Sequence, residues 1–165
     1  MRLTLLIATA LAAVPCFGAV DLCIINGAKL NLPTLSALQS ELRILVPGGK
    51  VRLDASSCDF TALLLDVTSE HSDVLARTRL KGGRIAASTE LFVPVIHDIL
   101  GETRSPKLLG RALARVIAHE IGHFLNQSGT HQTVGAMQTH FGIRDLTSGD
   151  SVPYMLRGAS RTGSD

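Results

Sequence analysis

The sequence predicts an α+β fold in which a small mixed sheet packs on two helices. Two observations carry this expectation. The apolar residues change period along the chain, giving the order strand, helix, three strands and a long helix. Of 165 residues, roughly 145 remain after an export-like start. That is ample for one hydrophobic core over 20–165 and short for two.

The start of the chain reads as a signal peptide over 1–19. Met1-Arg2 is positive, Leu3 to Val14 is apolar, and small residues follow at Cys16 and Gly18. The apolar run is short and Pro15 interrupts it, which argues against a permanent anchor. Pro15 directly before Cys16 also argues against a lipoprotein site. A secreted or periplasmic protein is expected, with no stable membrane insertion after cleavage. Cys23 and Cys58 then remain as an even pair, and an oxidising compartment makes them a disulfide.

Each element has its own signal. Leu22 to Ile25 is a short apolar run that fits a first strand. Pro33 to Val46 is a helix, with Leu35, Leu38, Leu42 and Leu45 at spacings of three and four. Pro47-Gly48-Gly49 turns the chain. Val51 to Ala55 alternates apolar and polar, and Ala62 to Val67 reads as a buried strand. Gly82-Gly83 precedes a mixed strand at Arg84 to Thr89. Leu91 to Leu100 is apolar, broken by Pro94, and fits either type. Ser105-Pro106 starts the long helix, which runs from Lys107 to Gln127 without a proline. On it Leu113, Val116, Ile117, Ile121 and Phe124 form an apolar arc, and Arg111 and Arg115 project on the opposite edge, toward solvent.

The same helix carries His119-Glu120-Ile121-Gly122-His123. Histidines four apart lie on one helical face, so both imidazoles reach one metal ion. Glu120 stands beside that ion without ligating it, where it can take a proton from metal-bound water. A catalytic zinc site needs three protein ligands and one open position. No glutamate follows Glu120, which leaves His131, His140, Asp145, Asp150 and Asp165 as candidates for the third. His131 is preferred, because Asn126 to Thr130 reads as a helix stop and tight return, with Asn126 or Gly129 left-handed.

His119-Glu120-x-x-His123, a third histidine and then Gly135-Ala136-Met137 resemble the metzincin zinc endopeptidases. The resemblance spans about Val116 to Met137 and departs in two places. Asn126 stands at the family's helix-ending glycine, and His131 comes two residues late, with Gly129 at the usual ligand position. It implies zinc on His119, His123 and His131, Glu120 as general base, and a short C-terminal subdomain whose Met-turn residue is Met137. It also implies a substrate-binding edge strand at Arg84 to Thr89, with Arg84, Ile85, Ala86 and Ala87 pairing an extended peptide. The pocket beside the metal would be lined by Val116, Thr139 and Phe141.

Peptide or protein substrates and a monomer are therefore expected. A net charge of +2 with scattered charges, one Tyr and no Trp give no sign of a nucleic-acid face. The alternative function is a zinc-binding module without catalysis, which would have no use for Glu120. His71, in a polar loop, reads as solvated, His97 as a partner of Asp98, and Tyr154 as a core residue. The sequon at Asn126-Gln127-Ser128 reads as incidental.

Overall fold

The computed structural model describes residues 20–69, 73–102 and 105–156. The expected signal peptide and the loop holding His71 lie outside them. Five strands form one sheet: β1 (Leu22–Ile25), β2 (Val51–Leu53), β3 (Phe60–Leu65), β4 (Ala76–Lys81) and β5 (Arg84–Phe92). Their order is β2-β1-β3-β5-β4. β1 is parallel to both β2 and β3, β3 is parallel to β5, and β4 runs antiparallel to β5. Helices α1 (Leu32–Leu45), α2 (Val93–Leu100), α3 (Pro106–Asn126) and α4 (Ile143–Thr147) complete the α+β fold, with a 3₁₀ turn at Val152–Tyr154.

Local chemistry sets the boundaries. Asn31 caps α1 by accepting from Thr34 N at 3.0 Å, and Ser105 caps α3 by accepting from Leu108 N at 3.2 Å. Proline occupies the first turn of both helices, where a missing N–H costs nothing. Pro94 does the same for α2, which divides the ambiguous Leu91–Leu100 stretch between the end of β5 and a helix. Gly82 and Gly83, at φ +59° and +77°, form the two-residue β4–β5 hairpin turn. Both positions need positive φ for the turn to match strand twist.

α1 and α3 cross closely at Gly110. A Cβ there would sit 2.5 Å from Thr34 O and 2.7 Å from Ala37 Cβ. Leu38, Leu42, Phe60, Leu64, Leu113 and Ile117 are buried in the core that results. The disulfide joins Cys23 on β1 to Cys58 just before β3. No helix among the described residues is long and apolar enough to cross a membrane.

Two expectations are corrected. Arg84 to Thr89 is not the sheet edge: β5 pairs with β4 on one side and, from Ser88 onward, with β3 on the other. The edge on this side of the sheet is β4, whose sequence Ala-Arg-Thr-Arg-Leu-Lys lacks a strong strand signal. Arg115 does not face solvent but is 1 % exposed. α4 and the 3₁₀ turn fold back over that flank of α3. There Arg115 donates to the carbonyl oxygens of Asp145, Ser148 (2.8 Å) and Asp150 (3.0 Å), and its guanidinium lies 4.1 Å from the centroid of the Tyr154 ring. Glu41 Oε1 faces it at 3.5 Å. The helical projection located the apolar arc correctly but could not anticipate a returning segment.

Candidate metal centre

Helix α3 sets His119 and His123 one turn apart, with their Nε2 atoms 2.9 Å from each other. The helix ends at Asn126, and Gln127 takes the left-handed conformation (φ 49°, ψ 37°), not Asn126 or Gly129 as expected. Gln127 is suited to this cap because its side-chain amide donates to Phe124 O at 2.7 Å. The chain then reverses, with Ser128 N donating to His123 O at 3.3 Å. The reversal returns His131 so that its Nε2 lies 3.2 Å from that of His123. Ligand atoms of His119, His123 and His131 all fall within 4.8 Å of one another. Among the described residues, His140, Asp145 and Asp150 are not part of this cluster.

The residues fit a metal ion on two grounds. Nitrogens about 2.0–2.1 Å from a tetrahedral zinc stand roughly 3.3 Å apart, close to the His119–His123 and His123–His131 spacings found here. The Nδ1 atoms of His119 and His123 meet Ala136 O (2.8 Å) and Ser128 O (2.7 Å), and a carbonyl can only accept. Those two rings therefore carry their proton on Nδ1, and their Nε2 lone pairs converge. Converging lone pairs repel unless a cation lies between them. Burial, reinforced by the neighbouring histidines, pushes the His119 pKa down to about 4, and burial lowers His131 as well. Neutral imidazole is the form that binds metal.

Glu120 is 9 % exposed and outside the ligand set. Burial raises its pKa, and a hydrogen bond from Thr78 opposes that rise. That bond, Thr78 Oγ1 to Glu120 Oε2, measures 2.6 Å and ties β4 to α3.

Met137 is buried against Gly122 of α3, where any Cβ would collide with its sulfur. Its loop is shaped by Gly135 at φ 86° and closed by Gln132 N donating to Met137 O at 2.7 Å. The preceding carbonyl, Ala136 O, is the one that orients His119, so Gly122, Met137 and the ligand geometry are coupled.

A cleft of about 770 Å³ opens over the site. Ala76, Thr78 and Leu80 of β4 form one wall, and Val116, Thr139 and Phe141 are in the lining as expected. The assignment of Arg84 to Ala87 as peptide-pairing residues is corrected. The Ile85 backbone is not free to pair with a peptide, because its N–H already donates to Gln127 Oε1 at 3.0 Å and its carbonyl accepts from Gln127 Nε2 at 3.3 Å, while β4 covers the other side. The main-chain edge belongs instead to β4. Phe92 N donates to Leu75 O, so strand alternation points the backbone groups of Ala76, Thr78 and Leu80 to the free side.

Thr78 and Gln127 are the residues sequence reasoning missed. Thr78 lies in a segment with no clear strand pattern, and nothing local announces that Gln127 caps one element while pairing another. His97 lies on α2 and does not line the cleft. Tyr154 is a core residue whose hydroxyl donates to Asp145 Oδ1 at 3.0 Å. Comparison of the chain with family models, curated proteins and solved structures returns no match.

Proposed function

We propose that the protein is a zinc-dependent endopeptidase of the metzincin type, secreted or periplasmic. The observation that carries this reading is a buried carboxylate, Glu120, held by Thr78 beside three convergent imidazoles yet outside their ligand set. A purely structural zinc site needs four closed ligands and has no use for such a carboxylate. Zinc held by His119, His123 and His131 would supply a Lewis acid that lowers the pKa of a water to about 7 and polarises a peptide carbonyl.

The chain's own residues do the rest. Glu120 accepts a proton from the attacking water and returns it to the departing amine, ending the cycle as it began. Thr78 holds the carboxylate in place, and Ala136 O and Ser128 O keep two of the imidazoles in the ligating tautomer. An extended peptide adds to the free side of β4, pairing with the backbone of Ala76, Thr78 and Leu80. Its side chains alternate between the cleft and the outer face of the sheet. Location outside the reducing cytosol is supported by the Cys23–Cys58 disulfide.

The test is hydrolysis of a broad peptide library by zinc-loaded protein, with and without a chelator. Cleavage that disappears on chelation and returns with zinc supports the reading. Stoichiometric zinc without cleavage of any peptide would replace it with the non-catalytic zinc-binding module.

A further inference from the structure

We propose that the edge strand selects extended polypeptides carrying acidic side chains at alternate positions, an inference that rests on the peptidase reading for its site. The whole chain is nearly balanced, with 16 Lys and Arg against 14 Asp and Glu, yet the eight residues from Arg77 to Arg84 hold four cations and no acid. Strand alternation sorts them. Ala76, Thr78 and Leu80 face the cleft, so Arg77, Arg79 and Lys81 lie on the opposite face of β4. Lys81 pairs directly with Arg84 across the hairpin, which sets two like charges side by side on that same face.

Among the described residues the charges on this face are under-compensated. Glu90 of β5 supplies a single carboxylate, 2.7 Å from Arg77 and 3.5 Å from Arg79. Among the described residues no ion pair reaches Lys81 or Arg84. Directly opposed like charges destabilise a strand pair. Cations on an edge strand also keep it from pairing with other copies, but that purpose does not call for a Lys81–Arg84 pair at the hairpin tip. An acidic strand relieves it. A peptide added to β4 places every second side chain beside Arg77, Arg79 and Lys81, at the close spacing where opposite charges attract. Its other side chains enter a cleft walled by Leu80, Ile85, Val116 and Phe141, which favours apolar groups there. The preferred substrate alternates acidic and apolar residues. Nucleic acid fits less well, because with five Phe, one Tyr and no Trp in the chain there is little for bases to stack on.

The experiment measures binding of two fluorescent peptides to the zinc-loaded Glu120→Ala protein, which keeps cleavage out of the readout. Both alternate with the same apolar residues; one carries glutamate and the other lysine at the remaining positions. The acidic peptide should bind about tenfold more tightly at low salt, and the preference should shrink as salt rises. The Arg79→Glu/Lys81→Glu variant, checked for unchanged thermal unfolding, should reverse the order. Equal binding of both peptides, or a preference that survives charge reversal, overturns the proposal, as does tighter binding of a DNA oligonucleotide of equal charge. Charge-selective binding without hydrolysis by the zinc-loaded wild-type protein upholds this inference and removes the peptidase reading. Hydrolysis without charge selectivity does the opposite.

Discussion

Thr78 Oγ1 lies 2.6 Å from Glu120 Oε2, joining the edge strand of the sheet to the helix that bears the histidines. A hydrogen bond to a charged group contributes about 1.5–3 kcal/mol. Replacing it by Thr78→Val should therefore lower kcat by roughly 10- to 100-fold while KM and zinc content hold. Thr78→Ser should restore most of the loss. The pH profile carries a second signature. Glu120 works ionised, and the Thr78 bond opposes the rise that burial imposes on its pKa. Without that bond Glu120 takes up its proton at higher pH, so the acid limb of the rate profile moves upward. Steady-state kinetics across pH on the two variants check both statements, and a Thr78→Val enzyme with wild-type kcat would refute them.

Gly122 should tolerate no side chain. A Cβ there meets the Met137 sulfur and comes within 3.2 Å of Leu156 Cδ2. Overpacking of this kind costs about 1–3 kcal/mol. Because Ala136 O holds His119 from the adjacent position, Gly122→Ala should weaken metal affinity along with stability. Gly110→Ala clashes at the α1–α3 crossing and should lower stability alone. Thermal unfolding with a metal titration separates the two, and equal metal affinity in both variants would contradict the coupling.

Arg115 should be among the costliest exposed-looking positions in the sequence to alter. Arg115→Met removes the donor to the carbonyl oxygens of Asp145, Ser148 and Asp150 and takes one cation from Glu41. Breaking a buried pair on one side costs about 3–5 kcal/mol. Urea unfolding should show a loss of that order, and a change under about 1 kcal/mol would mean the C-terminal segment does not depend on Arg115.

What the sequence made legible was local, and what it hid was non-local. His119 and His123 were readable because helical periodicity alone puts them on one face, and β1 and α1 because their apolar spacing is regular. Cys23 and Cys58 needed only counting. The edge strand was misplaced because the metzincin resemblance puts it at the late strand-like segment Arg84–Thr89, whereas position in a sheet is fixed by long-range pairing of β3 with β5. Arg115 reads as a surface residue until α4 and the Val152–Tyr154 turn close over it. Gln127 adopts the left-handed cap that Asn126 or Gly129 would take on intrinsic preference, because its amide bonds both Phe124 O and the Ile85 backbone. Thr78 was invisible for the same reason as its strand.

The most direct measurement compares zinc stoichiometry and peptide hydrolysis in the wild-type protein and in Glu120→Ala. Glu120 stands outside the three-histidine cluster, so the variant should keep one zinc per chain and lose hydrolysis. Loss of zinc from Glu120→Ala, or peptide cleavage at the wild-type rate without that carboxylate, would contradict the account.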